Sequence, residues 1–329
     1  MKIEGKNVLV TGAGGFIGSH LIEALVNKGS NVRAFVRYNS RNDWGLMEIL
    51  SSDIKNAIEV FTGDIRDPFI VKRAVADRDV VFHLASLIAI PYSYRAPSSY
   101  VEINIVGTLN IMQAALECQV AKVIHTSTSE VYGTAQYTPI DELHPLQGQS
   151  PYSASKIGAD KIAESYHLSF NLPVAIIRPF NTYGPRQSAR AIIPTVITQI
   201  LEKERVEVGL LESVRDFTFV KDTVDGFIHM AECEGTIGQV VNVGSGKGIS
   251  IGQLIDLILH EMGVDKPVIT AKERLRPKNS EVMKLICDRS KAHRILNWEP
   301  TISLEQGLQE TIAFYTDNAK FYKADLYNV

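Results

Sequence analysis

A glycine-rich turn near the start of the sequence constrains the fold of this chain more than any other feature. An apolar run at 7–10 predicts a strand, and the turn after it leads into a helical pattern with Leu21 and Leu25 on one face. Glycines here allow a tight bend, close approach of a pyrophosphate to backbone N–H groups, and close packing of helix on strand. The candidate cofactor residues in the turn are Gly12, Gly15, Phe16, Ile17 and Gly18. This order predicts the first unit of a dinucleotide-binding fold, with a merely structural turn as the alternative.

Strand and helix patterns alternate regularly after this turn. The predicted strands are 31–36, 59–62, 80–85, 123–127 and 174–177, and the predicted long helices are 97–118 and 151–170. This order predicts an α/β fold with a Rossmann-type, doubly wound parallel sheet. Because the alternation loosens after residue 180, we expect a dinucleotide-binding domain over 1–180, rejoined by about 219–243, and a smaller C-terminal α/β substrate-binding lobe over 181–329. Ligand is expected between the two.

Composition narrows the class of protein. The chain has 329 residues and a net charge of -3, so it offers no broad basic surface for nucleic acid. Three widely spaced cysteines predict reduced thiols, and eight histidines without metal-binding spacing predict no metal centre. No apolar run approaches the roughly 18 residues needed to span a bilayer. We therefore expect a cytoplasmic protein with neither nucleic acid nor membrane as a partner.

The residues after the second predicted strand bear on the choice of dinucleotide. NAD sites usually carry an acidic residue near the end of this strand, whereas NADP sites offer arginine to the extra phosphate. Here Arg37, Asn39 and Arg41 follow the strand, and no carboxylate occurs before Asp43. Two guanidinium groups suit a phosphate better than a diol. The sequence predicts NADP, with NAD as the second choice, and the alternative is a solvated basic loop.

Two further strand ends extend the expected path of the cofactor. The strand at 59–62 leads to Asp64 and Ile65, and the Asp64 carboxylate is a candidate acceptor for an adenine amino group. The strand at 80–85 contains Leu84 and Ala85 and is followed by Ser86. All five residues are candidate cofactor contacts.

Tyr152 and Lys156 stand four residues apart in the predicted helix 151–170, so their side chains share a face. A free tyrosine has a pKa of about 10 and is a poor base at neutral pH. A nearby ammonium favours the phenolate, and a positively charged nicotinamide favours it further. We therefore expect Tyr152 to take a proton from a sugar hydroxyl while hydride leaves the same carbon. The alternative is an amphipathic helix that carries both residues by chance.

The strand predicted at 123–127 ends in hydroxyl groups and one carboxylate. Thr128, Ser129 and Glu130 follow it directly. Open α/β sheets place ligands at the carboxyl ends of their strands. These three residues are therefore candidate members of the same site as Tyr152 and Lys156.

Taken together, these motifs resemble the extended short-chain dehydrogenase/reductase family over essentially the whole chain. The matching segments are TGAGGFIG at 11–18, HLA at 83–85, TSTSEVYG at 126–133, the YxxxK pair at 152–156 and RPFNTYGP at 178–185. The resemblance implies an enzyme acting on a nucleotide-activated sugar. It implies that Thr128 orients the sugar and that Tyr152 and Lys156 are the base and its helper.

The resemblance also implies substrate contacts and an assembly. Asn181 matches a substrate-contacting amide, and Arg215 and Arg276 match guanidinium groups on the diphosphate. Arg190 is a further candidate substrate residue. The predicted helices 97–118 and 151–170 match the pair that forms a four-helix dimer interface in the family, so a homodimer is expected.

Residues 128–130 distinguish members of the family. Hexose 4,6-dehydratases usually read Thr-Asp-Glu, with the Asp as acid and the Glu as base at C5, whereas this chain reads Thr128-Ser129-Glu130. Simple 4-epimerases usually have a small residue at the position of Glu130, and decarboxylases often read Ser-Glu. The longer phrases are most similar to bacterial dehydratases of nucleotide-linked N-acetylglucosamine in pathways to nonulosonic acids such as legionaminic or pseudaminic acid.

The sequence thus predicts a 4,6-dehydratase acting on UDP- or GDP-N-acetylglucosamine. A decarboxylase or an epimerase of the same family is the alternative. A non-catalytic dinucleotide sensor is disfavoured, because a sensor has no need of Glu130, Tyr152 and Lys156. The sequence does not predict the nucleobase or the C5 stereochemistry of the product. It also does not predict whether an unsaturated sugar is released, or which acid acts in place of the usual Asp at Ser129.

Overall fold

Alternating strands and helices form the first half of the protein, as the computed structural model of the chain shows. The structure describes residues 1–319 and Tyr322. Its strands are β1 (Asn7–Thr11), β2 (Asn31–Arg37), β3 (Ile58–Gly63), β4 (Val80–His83), β5 (Lys122–Thr126), β6 (Val174–Pro179), β7 (Asn181–Tyr183), β8 (Val206–Val208), β9 (Val214–Phe219), β10 (Val240–Val243), β11 (Gly248–Ser250), β12 (Val268–Thr270) and β13 (Lys284–Leu285).

Helices connect most of these strands. They are α1 (Phe16–Asn27), α2 (Ser52–Asn56), α3 (Pro68–Val75), α4 (Ile90–Arg95), α5 (Pro97–Tyr100), α6 (Gly107–Glu117), α7 (Pro151–Phe170), α8 (Ile192–Glu202), α9 (Val220–Glu232), α10 (Ile251–Met262), α11 (Ser290–Leu296) and α12 (Leu304–Asp317). Within the described residues, every helix is too short or too polar to cross a membrane.

Seven parallel strands make the large sheet, in the order β10-β6-β5-β4-β1-β2-β3. Strand β1 lies between β2 and β4, with Val8 opposite both Val32 and Val80. Val8 and Val10 pack in one hydrophobic cluster with α1 and α9, whereas Leu9 packs in another with α3, α6 and α7. Because successive strand side chains point to opposite faces, helices cover both faces of the sheet. The prediction of a Rossmann-type α/β fold is confirmed.

The long helix predicted over 97–118 forms with an irregularity in its middle. Helices α5 and α6 are joined by a π turn over Val101–Val106, which places the buried side chain of Asn104 against the segment after β4. Its amide accepts from Leu87 N at 2.8 Å and donates to the hydroxyl of Ser155 on α7 at 2.9 Å. Turns of this kind are frequent at functional sites. The irregularity therefore links three elements that surround the same edge of the sheet.

Helix α7 has the bounds predicted for it. Ser150 caps its N-terminus by accepting from Ser153 N, and Pro151 occupies the first helical position. The helix ends at Phe170, and the next residue, Asn171, adopts a left-handed conformation with φ of 55°. Tyr152 and Lys156 therefore lie in the first two turns of a long, well-capped helix.

Residues after β6 form smaller sheets beside the large one. Strand β9 pairs with β7, β11 and β13, and β8 pairs with β12. Strand β10 returns to the large sheet and pairs with β6. A buried carboxylate, Asp222, accepts from Thr301 N at 3.0 Å and from Ile302 N at 3.1 Å, which fixes the segment before α12. The division into 1–180 with 219–243 and a lobe over 181–329 stays a prediction, and residues 320, 321 and 323–329 of that lobe lie outside the described part of the chain.

Candidate active site

A cavity of about 890 Å³ lies at the carboxyl ends of the strands of the large sheet. Every predicted site residue except Arg215 lines it. Those residues are Gly12, Gly15, Phe16, Ile17, Gly18, Arg37, Asn39, Arg41, Asp64, Ile65, Leu84, Ala85, Ser86, Thr128, Ser129, Glu130, Tyr152, Lys156, Asn181, Arg190 and Arg276. The topology thus brings together motifs that are up to about 260 residues apart in the sequence, at the edge where open α/β sheets bind ligands.

The glycine turn leaves room for a ligand that approaches the backbone. Gly12 has φ of +70°, and a Cβ there would lie 2.8 Å from Ala85 N. A Cβ on Gly18 would collide with the carbonyl oxygen of Gly12. Helix α1 begins after Gly15 without a side-chain cap, so its first N–H groups are available to an anion. These features fit the pyrophosphate of a dinucleotide.

Thr11 holds the ends of β1 and β4 together below this turn, a role that the sequence analysis does not predict. Its hydroxyl accepts from Leu84 N and Ala85 N, both at 3.1 Å, and bonds His83 Nδ1 at 2.9 Å. Its position, a hydroxyl residue at the end of β1 directly before Gly12, is the signal in the sequence. The contact fixes the two segments that face each other across the cofactor path.

The loop after β2 is built largely by its own side chains. The side-chain amide oxygen of Asn39, Oδ1, accepts from Arg41 N and Asp43 N, both at 3.1 Å. The Asp43 carboxylate accepts from Gly45 N at 2.6 Å and lies 3.5 Å from Arg41 Nη2. Asp43 therefore lines the same cavity wall as Arg37 and Arg41, although the sequence placed it beyond the strand end. The loop folds back on itself and so brings the Asp43 carboxylate to this wall. The hydrophobic periodicity of the sequence does not predict this fold.

Asp64 is already engaged by a neighbouring cation. Its carboxylate accepts from Arg66 Nε at 3.0 Å and from Nη2 at 2.6 Å, and these hydrogen bonds lower the pKa of Asp64. Arg66 also bonds Glu102 at 3.1 Å. Arg66 lines the cavity and was missed in the sequence. An adenine at this position meets an ion pair rather than a lone carboxylate.

Tyr152 and Lys156 project from α7 into the cavity, where both are almost completely buried. Burial raises the pKa of Tyr152, the neighbouring Thr128 hydroxyl lowers it, and the negative charge of Glu130 raises it further. The Lys156 amine donates to the Thr126 carbonyl at 2.5 Å, and burial lowers the pKa of Lys156 to about 8. The expected lowering of the tyrosine pKa by Lys156 is therefore not seen, because burial and nearby carboxylates dominate.

Thr128, Ser129 and Glu130 occupy a short turn after β5. The Thr128 hydroxyl accepts from Glu130 N at 3.2 Å and so caps a 3-10 turn over Ser129–Tyr132. Ser129 is buried and Glu130 is partly exposed to the cavity. A hydroxyl, a carboxylate and the phenol of Tyr152 thus converge on one volume. This set can orient a hydroxyl group and exchange protons with it.

The opposite end of the cavity carries arginines and amides. Arg276 lines the wall and lies 3.9 Å from Glu281, which in turn lies 3.6 Å from Arg215. Arg215, on strand β9, is buried and does not line the cavity. The amide oxygen of Asn181 is buried without a hydrogen-bond partner. It is free to accept from a ligand in the cavity.

Several cavity residues had no sequence prediction. They are Trp44, Gly45, Arg66, Gln187, Ser188 and the segment 87–91. Most of them lie in loops, where no period or motif marked them. Among the residues that the structure describes, no group of three or more His, Cys, Asp or Glu side chains is placed to hold a metal ion.

Comparison with known proteins assigns the chain to a family. The model of the family described as GDP-mannose 4,6 dehydratase matches residues 9–311. A dTDP-glucose 4,6-dehydratase from Streptomyces antibioticus is 32% identical over 324 residues, covering 96% of this chain and 94% of the relative.

Solved structures of similar proteins share the fold. A dTDP-glucose 4,6-dehydratase from Streptomyces venezuelae, determined with NAD bound, has a TM-score of 0.87 and 29% identity, covering 96% of this chain and 99% of its own. A UDP-N-acetylglucosamine 4-epimerase from Methanobrevibacter ruminantium, in complex with UDP-N-acetylmuramic acid, has a TM-score of 0.87 and 31% identity, covering 96% and 99%. The chain therefore belongs to the GDP-mannose 4,6-dehydratase family of the extended short-chain dehydrogenases/reductases, a family of nucleotide-sugar dehydratases and epimerases.

Proposed function

We propose that the protein is a nucleotide-sugar 4,6-dehydratase acting on UDP- or GDP-N-acetylglucosamine. The observation that carries this proposal is the position of Glu130. Its carboxylate lines the cavity two residues after Thr128, whose hydroxyl lies beside that of Tyr152. A dehydratase needs a base at C5 close to the group that deprotonates the 4-hydroxyl, and this arrangement supplies both.

In the proposed reaction Tyr152 takes the proton of the sugar 4-hydroxyl, which Thr128 orients. A nicotinamide dinucleotide held by the glycine turn before α1 would supply the redox chemistry, as hydride acceptor for C4 and hydride donor for C6. Once C4 is a ketone, the C5 hydrogen is acidic, and Glu130 removes it as the C6 hydroxyl leaves. Protonated Glu130, or a water beside it, gives that leaving group its proton, because the Ser129 hydroxyl is a poor general acid. As C6 is reduced, C5 takes a proton from solvent and Tyr152 returns the 4-hydroxyl proton to solvent, so the net change is loss of one water molecule.

Lys156 supports the first step through its charge. Burial disfavours both the Lys156 ammonium and the Tyr152 phenolate, but a cation beside the anion offsets part of that cost. The positive charge of a bound oxidised nicotinamide adds to this effect. The phenolate is therefore favoured in the loaded enzyme and disfavoured in the chain alone.

For the cofactor we propose NADP first and NAD second. Arg37 and Arg41 line the wall where the adenosine ribose would lie, and they give the phosphate of NADP two cations. Asp43 in the same wall supplies the carboxylate that suits the ribose diol of NAD, and the Streptomyces venezuelae relative holds NAD. Glycines of the α1 turn would bind the pyrophosphate in either case.

At the other end of the cavity we propose that Arg276 binds the diphosphate and that Asn181 and Arg190 contact the substrate. The Arg276 side chain is 28% exposed, and Arg190 is exposed with its Nε 3.2 Å from Ser188 Oγ. Arg215 contributes charge from behind the wall, through Glu281.

A homodimer is part of the proposal. The two long helices on one face of the sheet leave apolar side chains in solvent. These are Val101, Val106, Leu109, Leu168 and Phe170, with exposed fractions from 38% to 73%. An exposed apolar surface of this kind marks an interface. Sedimentation should show a dimer at micromolar concentration, and a stable monomer would contradict the proposal. We also propose a cytoplasmic location.

An epimerase is the second candidate, because UDP-sugar 4-epimerases are among the similar structures and Ser129 stands where dehydratases usually have Asp. Incubation with UDP- and GDP-N-acetylglucosamine separates the candidates by mass spectrometry. A dehydratase releases a product lighter by one water molecule, whereas an epimerase releases an isomer of unchanged mass. Carbon dioxide release from a UDP-uronic acid would instead identify a decarboxylase.

A further inference from the structure

A buried cluster of polar side chains lies directly behind Lys156. Its centre is the carboxylate of Asp160, one helical turn further along α7 and 2% exposed. The carboxylate accepts from Ser127 Oγ at 2.6 Å and from His125 Nε2 at 3.1 Å. It also accepts from Arg178 through Nη2 at 3.0 Å and Nε at 3.3 Å. One carboxylate thus joins α7 to β5 and β6.

Arg178 extends the cluster to the turn that carries Glu130. Its Nη1 donates to the Tyr132 hydroxyl at 3.0 Å, and its guanidinium carbon lies 5.1 Å from the centre of the Tyr132 ring. The Tyr132 hydroxyl donates to the amide oxygen of Asn242 on β10 at 2.7 Å. Tyr132 closes the same 3-10 turn as Glu130. A displacement of Arg178 would therefore move both α7 and this turn.

We propose that the Asp160–Arg178 ion pair is a positioning element that fixes Lys156 and the turn carrying Glu130 relative to each other. Neither member of the pair lines the cavity, so both act through other residues. The catalytic meaning of the inference rests on the proposed function, which gives Lys156 and Glu130 their roles. The structural part, one ion pair controlling two segments, does not.

The charges in the cluster indicate how Asp160 acts on Lys156. Lys156 and Arg178 are two buried cations that both interact with the Asp160 carboxylate. Tyr152 lies on the same helix as Lys156, whereas Tyr132, Glu142 and Lys291 surround Arg178. His125 on β5 stacks on His83 of β4 at 5.5 Å, and burial lowers the pKa of both imidazoles, so both are neutral. The cluster carries a net charge of about +1.

Loss of the carboxylate would leave two buried cations uncompensated. Burial lowers the pKa of Lys156 to about 8, and Asp160 opposes this effect. Without Asp160 the pKa of Lys156 would fall further, so its ammonium group would lose its proton at a lower pH. Lys156 would then lose its proton more readily than Arg178, because a guanidinium stays protonated in proteins.

The test is a titration of Lys156 in Asp160→Asn, an isosteric change. Lysines labelled with carbon-13 at Cε are followed by NMR across pH, and Lys156→Met identifies the resonance. We expect the midpoint of Lys156 to fall by at least about one pH unit. The high-pH limb of kcat should move by the same amount, with KM unchanged. An unchanged Lys156 midpoint would overturn the inference.

Asp222→Asn is the matched control. It removes another buried carboxylate with several donors, but one that holds the segment before α12, away from the cavity. We expect it to lower Tm while the Lys156 midpoint and the pH profile stay as in the wild type. A shift of the Lys156 midpoint as large as that in Asp160→Asn would mean that loss of stability alone explains the effect, and the inference would fall.

Tyr132→Phe tests the second half of the connection and stays informative if Asp160→Asn does not fold. It removes the hydroxyl that links Arg178 to the turn, so kcat should fall about tenfold while the Lys156 midpoint is unchanged. Wild-type kcat in this variant would contradict the link to Glu130. Because the NMR titration needs no turnover, a wrong substrate assignment leaves its result unaffected, and the two failures are distinguishable.

Discussion

The two ends of the cavity differ in what lines them: backbone atoms at one end and long side chains at the other. The end at α1 consists of backbone, where Gly12 adopts positive φ and Gly18 touches the carbonyl of Gly12. The far end carries the long side chain of Arg276, which lies 3.9 Å from Glu281, and Glu281 in turn lies 3.6 Å from Arg215 behind the lining residues. A backbone site tolerates almost no added atom, whereas a side-chain site can change its ligand by substitution. This difference agrees with relatives that share a fold but are named for different nucleotide sugars.

The largest effect is expected at the backbone end. In Gly18→Ala the new Cβ would collide with the Gly12 carbonyl, which has no flexible end to move away. We expect affinity for the dinucleotide to fall about a hundredfold, equivalent to about 3 kcal/mol of overpacking. Calorimetry with NADP and NAD measures it. Gly252→Ala is the control, because its Cβ would meet its neighbours at 3.8 Å and beyond. Wild-type affinity for the dinucleotide in Gly18→Ala would contradict the claim that the backbone end tolerates no added atom.

A smaller loss is expected at the side-chain end. Arg276→Ala removes the guanidinium proposed to bind the diphosphate, so KM for the nucleotide sugar should rise about twentyfold, as for loss of charge-assisted hydrogen bonds. Affinity for the dinucleotide should stay unchanged. Arg205→Ala, which breaks an exposed ion pair with Glu207, is the control. If Arg276→Ala instead weakened the dinucleotide, the assignment of the two ends would be reversed.

The smallest effect is expected at the exposed loop after β2. Arg37→Ala should weaken binding of NADP about fivefold more than binding of NAD, because one exposed cation contributes about 1 kcal/mol to binding. The ratio of the two dissociation constants is the measured quantity. Equal loss of both, or copurification with NAD, would make the NADP proposal wrong and would leave Asp43 as the determinant of the loop.

The backbone end of the cavity is predictable from the sequence, whereas the placement of long side chains is not. The glycine turn and α7 could be read from it, because turn chemistry, a capping serine and a proline at the first helical position are local signals. The position of Asp43 could not, because it depends on hydrogen bonds that Asn39 makes within its loop. Nor could the burial of Arg215, since a guanidinium on a strand is expected at the surface.

The catalytic region lies between these extremes. Two sequence motifs predict that Thr128, Glu130, Tyr152 and Lys156 share a site, and all four line one cavity in the structure. Their electrostatics were not predictable in the same way. The raised pKa of Tyr152 comes chiefly from burial, and burial depends on packing partners such as Tyr100, whose ring lies 6.2 Å away at a T-shaped angle. Such partners are brought in by the fold.

The central claim is that Glu130 is the base at C5, and the most direct measurement is hydrogen exchange at that carbon in Glu130→Gln. Oxidation at C4 needs Tyr152, Lys156 and the dinucleotide, so it should persist in the variant as reduced cofactor seen by absorbance. Uptake of deuterium at C5 from heavy water should disappear, and kcat should fall about a hundredfold or more, as for loss of a general base. C5 exchange at the wild-type rate, or turnover within about threefold of wild type, would contradict the account.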